Sequence, residues 1–233
     1  MKKKIIVTAF SNLTTDQRIE KVCKTLHDNG YVIELIGCNY GCNQEVKREY
    51  TVEKINLISK SLKTAYFEFN WKLYQKLLNK SFENTVLLTN DLDTLLPNFL
   101  LSKKKKIPLV FDSHEIFTEM PAIQGKISQK IWRFAENKML PHIEFMMTES
   151  ESYAKWFHEK YNVTPVVVRN IPKKLPLQEK TLTQNPKIIL YQGAINPSRG
   201  IDKAILAMKF IENANLIIVG DGPMRKKYEA FAV

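Results

Sequence analysis

Short apolar runs alternate with stretches of helical spacing along most of this chain, and this alternation limits the folds it can adopt. Lys4 to Phe10 is a β-rich run, Val32 to Gly37 is a second, and the segment between them has an apolar stripe that ends at Gly30. The stripe consists of Ile19, Val22, Cys23 and Leu26. Thr14 and Gln17 resemble a capping box at the start of this helix. Strand, helix and strand in this order predict a βαβ unit with a right-handed crossover.

The same alternation continues through the following residues. Further strands are predicted at Thr51 to Ile58, Thr85 to Thr89, Leu109 to Phe111, Phe145 to Thr148 and Val166 to Val168, and helices at Thr64 to Phe82, from Asp93, at Ile127 to Met139 and at Ser150 to Lys160. Parallel strands that are buried on both faces have continuous apolar runs of this kind. The pattern predicts an α/β fold, with a doubly wound parallel sheet covered by helices on both faces.

Two glycine loops near the end of the chain each follow an apolar strand. The strands are predicted at Lys187 to Gln192 and at Asn215 to Val219, with a helix between them. Such loops can bind phosphate, and the planar fork of Arg199 can hold two phosphate oxygens. The predicted donor-binding residues are Gly193, Arg199, Gly200, Gly220, Asp221 and Gly222. Ordinary strand-to-helix turns would contain the same glycines, so the residues alone leave both interpretations open.

At this point the residues resemble a known family. The spacing from Gly193 to Arg199, followed by the Gly-Asp-Gly-Pro loop from Gly220, is similar to the start of the nucleotide-sugar domain of retaining family 4 glycosyltransferases. The resemblance implies the GT-B fold of two facing doubly wound domains. It also implies a UDP- or GDP-linked sugar as donor substrate and no cofactor. The family pattern has an Arg directly after the first glycine, where this chain has Ala194, so Arg199 is the remaining expected diphosphate contact.

The length of 233 residues bounds the domain organisation. A domain takes roughly 100–200 residues, so a complete pair of doubly wound domains needs more. We expect an acceptor-side Rossmann-like domain at 1–170, a linker at 171–186 and the start of a nucleotide-sugar-binding domain at 187–233. In the family, a spaced acidic pair that binds the donor's sugar and ribose comes later in this domain. The expectation is therefore a fragment or natural truncation that is inactive alone, with a catalytically inactive remnant as the alternative.

Polar clusters follow the predicted strands of the first domain at their carboxyl ends, where ligands bind in doubly wound sheets. They comprise Ser11, Asn12, Asp16 and Arg18, then Asn90 and Asp91, and then Asp112, Ser113, His114 and Glu115. The ring of His114, among carboxylates, could hydrogen-bond a sugar hydroxyl or stabilise charge near a reaction. The alternative is a structural histidine that holds the loop together.

The resemblance assigns roles to some of these residues. The sequence Asp112-Ser113-His114-Glu115 looks like the family loop whose histidine contacts the donor sugar or its phosphate, so His114 is the expected catalytic residue. Arg169 and Asn170 resemble the family's passage from the last strand into the linker, where they would line the cleft or pin the hinge. The resemblance further implies transfer with retention to a saccharide or lipid-linked acceptor, in cell-surface polysaccharide synthesis.

Asp91 and Asp93 also permit a different class of enzyme. An acidic pair after an apolar strand is how metal-dependent GT-A glycosyltransferases hold Mn²⁺ or Mg²⁺ with a nucleotide diphosphate. Asp93 is equally explained as the N-cap of a helix that begins at Thr94. We expect no metal site, because the phosphate-loop signals lie in a second βαβ unit.

The charge balance points to anionic partners. There are 35 Lys and Arg against 24 Asp and Glu, a formal charge of +11, and Lys103 to Lys106 form the densest cluster. Nucleotides, nucleic acid and the inner face of a bacterial membrane all fit this charge. The sequence lacks the aromatic and basic interleaving of an RNA-binding sheet, so a nucleic-acid-binding module remains a lesser alternative. The lysine run is also explained as a solvated helix end.

The sequence predicts a cytoplasmic protein, peripheral to the membrane at most. No apolar stretch is long enough to span a bilayer, and the residues after Met1 lack the pattern of a signal peptide. Cys23, Cys38 and Cys42 cannot all pair within one chain, and no second Cys or His cluster completes a metal site, so reduced thiols are expected.

Overall fold

A parallel sheet of seven strands forms the centre of the first of two compact units, Met1–Pro172. The computed structural model describes residues 2–42, 44–172, 174, 176 and 185–232. The strands are β1 (Lys4–Thr8), β2 (Val32–Cys38), β3 (Thr51–Ile55), β4 (Thr85–Asn90), β5 (Leu109–Ser113), β6 (Phe145–Thr148) and β7 (Val166–Val167). Their order is β3-β2-β1-β4-β5-β6-β7, and each neighbouring pair is parallel. The order reverses between β1 and β4, and doubly wound sheets bind ligands at such a switch point.

Helices cover both faces of this sheet. They are α1 (Gln17–Asp28), α2 (Leu62–Leu78), α3 (Leu92–Lys105), α4 (Ile127–Met139) and α5 (Glu151–Tyr161). Ile19 and Cys23 of α1 pack on one face with Ile5, Val7 and neighbouring strand residues. The other face holds the larger core, to which α2, α3, α4 and α5 contribute buried side chains. The prediction of a doubly wound, Rossmann-like α/β fold is confirmed.

Side-chain caps explain where three of the helices begin. Asp16 accepts a hydrogen bond from the Ile19 N–H, Ser61 from Thr64 and Ser150 from Tyr153. The predicted capping box from Thr14 to Gln17 is therefore wrong by two positions, because Asp16 is the N-cap and Thr14 Oγ1 donates to Asn12 Oδ1 instead. The prediction that Asp93 is an N-cap is also wrong. Asp91 occupies that position, and α3 begins at Leu92.

The second compact unit, Lys173–Val233, contains two parallel strands and two short helices among its described residues. The elements are β8 (Lys187–Gln192), α6 (Ile201–Ala207), β9 (Ala214–Val219) and α7 (Arg225–Phe231). Ile195, Ile201 and Tyr228 form its small core. The predicted strands agree with β8 and β9, because each is an apolar run that ends at a glycine. Most of the predicted linker, at 173, 175 and 177–184, lies outside the described residues.

Other sequence expectations concern the cysteines and the membrane. Cys23, Cys38 and Cys42 are all free thiols, and burial raises the pKa of Cys23 to about 12 and that of Cys38 to about 11. Among the described residues, no helix combines the length and the apolar character needed to cross a membrane.

Candidate functional site

Loops at the carboxyl ends of the strands surround an open depression of about 490 Å³ in the first unit. Because the strands are parallel, the segments that follow β1, β5, β6 and β7 all reach this edge of the sheet. The depression is lined by Thr15, Asp16, Gln17, Arg18, His114, Glu115, Glu149 and Asn170. Five of these residues were predicted to lie in the site. Thr15, Gln17 and Glu149 were missed, although each stands next to a residue or strand end that was considered.

His114 is held between two carboxylates. Its Nδ1 lies 3.2 Å from Asp91 Oδ2, and its Nε2 lies 3.4 Å from Asp112 Oδ2. The contact with Asp112 is poorly aligned, so the buried Nε2 has no hydrogen-bond partner in the part of the chain that the structure describes. Both ring nitrogens can donate only when the imidazole is protonated. The position therefore favours a cationic ring, and the part of the ring that stays exposed lines the depression.

Asp91 fixes the backbone of the histidine loop as well as its ring. The N–H of His114 donates to Asp91 Oδ1 at 2.8 Å, while the Asp91 N–H donates to the carbonyl of Asp112 at 2.9 Å. Asp91 has φ +58°, an uncommon conformation for a residue with a side chain. Its carboxylate stands at the N-cap of α3 but makes no capping bond, because both oxygens face His114. A strained residue that gives up a cap to hold a neighbouring loop is typical of a functional site.

The electrostatics of the three groups are mutually dependent. Burial disfavours the imidazolium, but the close contact with Asp112 and the charge of Asp91 outweigh it and raise the pKa of His114 above its ordinary value. Burial raises the pKa of Asp91 to about 6, although His114 acts in the opposite direction. Burial would also raise the pKa of Asp112, but His114 and Arg18 hold it below its ordinary value. At neutral pH the cluster therefore favours a charged ring between two ionised carboxylates.

Arg18 forms a two-point ion pair with Asp112 of this cluster. Its Nε and Nη2 donate to Asp112 Oδ2 and Oδ1 at 3.1 and 2.5 Å, and its Nη1 donates to the carbonyl of Val168 at 2.7 Å. Both partners of the ion pair are almost completely buried. Arg18 was predicted as a cleft or acceptor residue. The structure shows it at the wall of the depression, with its guanidinium engaged by Asp112 and by the end of β7.

Three other predicted site residues shape the loops. Ser11 Oγ accepts the Leu13 N–H, and Asn12 Oδ1 accepts the Thr14 N–H, so both side chains hold the turn after β1. The Asn90 side chain is buried and donates to the carbonyl of Thr8, which ties β4 to β1. The residues that remain near solvent at this edge include Asp16, Glu115, Arg169 and Asn170. Asn170 accepts a hydrogen bond from Lys21 at 3.0 Å.

Asp93 does not join Asp91 in a pair of ligands. Its side chain is buried in the first turn of α3, where desolvation and the charge of Asp91 raise its pKa well above the ordinary value. In the described residues no group of three or more His, Cys, Asp or Glu side chains is arranged to hold a metal ion. The structure therefore gives the metal-dependent alternative no support from this acidic pair.

The two glycine loops of the second unit contact each other through their backbones. Gly193 N–H donates to Val219 at 3.0 Å, and Ile195 N–H donates to Asp221 at 2.9 Å. A Cβ atom at Gly220 would lie 1.9 Å from the Gly193 carbonyl oxygen, and one at Gly222 would lie 2.5 Å from that of Ile195. Residues with side chains cannot take these places without displacing the facing loop. Glycine is therefore required at both positions, because the backbones of the two loops lie so close together.

Arg199 and Gly200 lie between these loops in sequence. Gly200 has φ +73° and is the N-cap of α6, which has only seven residues, so the helix dipole is small. Arg199 is exposed and makes no hydrogen bond or ion pair with the described residues. The Asp221 carboxylate accepts the Gly222 N–H at 2.8 Å and lies 4.0 Å from Arg225. Arg225, a second exposed cation beside the loop, was not singled out from the sequence.

No known family model matches the sequence, and no curated protein sequence matches it. Solved structures do match the fold. The sucrose-phosphate synthase of Thermosynechococcus elongatus aligns with 99% of this chain and 67% of its own, at 13% identity and a TM-score of 0.76. Alr3699/HepE of Anabaena, solved in complex with UDP and glucose, aligns with 98% of this chain and 64% of its own, at 13% identity and a TM-score of 0.62.

The same fold occurs in an enzyme of another class. The UDP-GlcNAc 2-epimerase of Methanocaldococcus jannaschii aligns with 100% of this chain and 68% of its own, at 12% identity and a TM-score of 0.55. The chain spans about two thirds of the length of these solved structures. At these identities the likeness establishes the doubly wound α/β architecture found in GT-B glycosyltransferases, and function has to be argued from the site.

Proposed function

We propose that this chain supplies the acceptor-side domain and part of the donor site of a GT-B glycosyltransferase. The observation that carries the proposal is His114, which is fixed between Asp91 and Asp112 at the carboxyl edge of the sheet and lines the polar depression. This is the loop in which the family resemblance expects a histidine that contacts the donor sugar or its phosphate.

The proposed reaction moves a sugar from a UDP- or GDP-linked donor with retained anomeric configuration. As the bond to the sugar breaks, negative charge grows on the leaving diphosphate, and fixed positive groups stabilise it. Arg199 would contact the diphosphate through its exposed guanidinium. His114 would contact the sugar or its phosphate through the exposed part of its ring. No metal ion is required by this arrangement.

The acceptor is proposed to be a saccharide or a lipid-linked saccharide, and the pathway to be cell-surface polysaccharide synthesis. Both assignments rest on the family resemblance and on the formal charge of +11. The acceptor would contact the first unit around Asp16, Glu115 and Asn170, whose polar side chains surround the depression beside His114. Hydroxyl-rich ligands suit such a lining, because carboxylates and amides accept and donate hydrogen bonds to sugar hydroxyls.

Calorimetry with UDP, GDP and their glucose conjugates tests donor binding, and product analysis with saccharide acceptors tests transfer. We expect the wild type to bind one of the nucleotide diphosphates. We expect His114→Ala to bind the sugar conjugate of that nucleotide more weakly than the wild type does. His142→Ala is the matched control, since this exposed histidine lies at the amino end of β6. Failure to bind any nucleotide diphosphate would overturn the proposal, as would epimerisation of the donor without transfer. Binding without turnover would favour the inactive remnant.

A further inference from the structure

Helix α4 exposes one apolar stripe to solvent and buries two polar side chains. Ile127, Ile131 and Phe134 are 78%, 63% and 66% exposed and fall at positions i, i+4 and i+7, so they form one stripe. Gln129 and Glu136, on the opposite side, are buried. A surface helix of a globular protein normally has the reverse arrangement.

The buried polar side of α4 is fully engaged, so the helix cannot rotate to hide its apolar stripe. Gln129 donates to the Thr118 carbonyl at 2.8 Å and accepts the Gly125 N–H at 3.0 Å. Glu136 accepts hydrogen bonds from Thr118 Oγ1 at 2.8 Å and from the Tyr161 hydroxyl at 2.6 Å. Breaking these buried bonds would leave polar groups unsatisfied. The outward stripe is therefore a fixed property of the fold.

The neighbouring helices continue this apolar surface. α3 contacts both α2 and α4, and the rings of Tyr66 on α2 and Trp132 on α4 lie 5.5 Å apart. α2 exposes Phe67 and Trp71, and α3 exposes Leu96 and Leu100, each pair at spacing i, i+4. We call these seven side chains the outer patch: Phe67, Trp71, Leu96, Leu100, Ile127, Ile131 and Phe134. An exposed apolar surface built by three adjacent helices marks a contact with a partner or a membrane.

The exposed charged residues of the three helices that build the outer patch are all basic, and Glu119, outside these helices, pairs with Arg133. The exposed charged residues of α2, α3 and α4, all of whose residues the structure describes, are Lys63, Lys103, Lys104, Lys105, Lys130, Arg133 and Lys138. The acidic residues of these helices are turned inward. Glu68 accepts hydrogen bonds from the Ile58 and Ser59 N–H groups, and Asp93 and Glu136 are buried. A protein partner would have to offer an apolar surface rimmed only by acids, whereas an anionic lipid surface offers both properties at once.

We propose that the outer patch docks this protein on the surface of a membrane that contains anionic lipids. Aromatic and aliphatic side chains would enter the boundary between headgroups and acyl chains, with Trp71 at the headgroup level, where tryptophan is enriched. Lys63, Lys130 and Lys138 would extend their charged ends to the lipid phosphates. The proposal does not depend on the proposed enzyme activity, because the patch and the residues around His114 are different.

Vesicle sedimentation tests this proposal directly. Vesicles of phosphatidylcholine alone are compared with vesicles of phosphatidylcholine and phosphatidylglycerol in equal amounts. We expect the chain to sediment with the anionic vesicles, less at high salt, and not with the neutral ones. The double variant Ile131→Ser/Phe134→Ser should bind roughly tenfold more weakly, since two anchoring side chains are lost. Phe210→Ser is the matched control, because Phe210 is exposed but lies in the second unit.

Charge is tested separately with Lys130→Glu, which should weaken vesicle binding by about fivefold or more. Lys47→Glu is its control, since Lys47 is exposed in the loop whose Val46 and Tyr50 pack with the α1 side of the sheet. Absence of binding to anionic vesicles would overturn the proposal. Equal effects of the patch and control variants would also overturn it. The proposal would also be overturned if analytical ultracentrifugation showed a dimer of the wild type that is lost in the double variant while vesicle binding stays unchanged.

Discussion

Arg18 and Asp112 form a two-point ion pair that joins positions 94 residues apart and is almost completely buried. Arg18 lies in the first turn of α1, and Asp112 is the last residue but one of β5, so the pair fixes the geometry of two loops at the site. Asp112 in turn contacts His114. The orientation of the candidate catalytic ring therefore depends on a residue that no ligand needs to touch.

The first prediction is that Arg18→Ala lowers the free energy of unfolding by about 3–5 kcal/mol, because it leaves the Asp112 carboxylate buried and unpaired. Urea unfolding followed by circular dichroism measures the change. Arg133→Ala is the control. Its pair with Glu119 at 3.0 Å is largely solvent-exposed, so its loss should cost less than about 1 kcal/mol. Equal losses in the two variants would contradict the structural role given to Arg18.

A second prediction concerns pH. The folded-state pKa of His114 lies above the ordinary value of 6.5, so protonation of its ring stabilises the fold. This stabilisation is complete below the unfolded-state pKa and is lost as pH rises through the higher folded-state pKa. Asp91 acts in the same direction, since its folded-state pKa of about 6 exceeds 3.8. Wild type should therefore lose its stability advantage over His114→Gln as the pH is raised from below 6.5 through the folded-state pKa of His114.

NMR titration of the His114 ring provides the direct check on this cluster. In Asp91→Asn the pKa of His114 should fall, because a neighbouring negative charge is removed. Glu159→Gln is a control that removes a carboxylate from the exposed side of α5. A His114 pKa that does not respond to Asp91→Asn would show that the ring and this carboxylate are not coupled.

The sequence predicted the fold more completely than the site, and the reason is physical. Apolar periodicity reports burial directly, so β1, β4, β5 and their helices could be placed from local residues. Because parallel strands end at one edge of the sheet, the sequence also predicted that Asp91, Asp112 and His114 lie at the same edge. Local patterns cannot identify the cation that pairs with the buried Asp112, because Arg18 lies 94 residues away in the sequence. They also assume that apolar stripes face inward, whereas Ile127, Ile131 and Phe134 of α4 are exposed.

A third prediction addresses the glycine loops. Gly220→Ala should disrupt the second unit, because its Cβ would lie 1.9 Å from the Gly193 carbonyl oxygen and one loop must move. Gly200→Ala meets no atom within 4 Å and should cost only the strain of its positive φ, about 1–2 kcal/mol. Amide hydrogen exchange in β8 and β9 measures the difference. Equal exchange rates in the two variants would show that the loops tolerate separation.

The fourth prediction concerns the diphosphate contact. Arg199→Ala should weaken UDP or GDP binding by about 1.5–3 kcal/mol, because a charge-assisted hydrogen bond to phosphate is lost. Calorimetry on the full chain measures the affinity. Lys209→Ala serves as the control, since Lys209 lies beyond the other end of α6 in the same unit. Unchanged affinity in Arg199→Ala would remove this residue from the donor site.

The last prediction is that nucleotide-diphosphate binding needs no divalent cation. Hard cations require carboxylate oxygens that are free to coordinate, and neither Asp91 nor Asp93 offers them. Both oxygens of Asp91 face His114, and burial raises the pKa of Asp93 well above its ordinary value. Calorimetric titrations should therefore give the same affinity in EDTA as in Mn²⁺, both for wild type and for Asp93→Asn. Binding that requires Mn²⁺ and is lost in Asp93→Asn would establish the acidic pair as metal ligands and exclude the metal-free donor site.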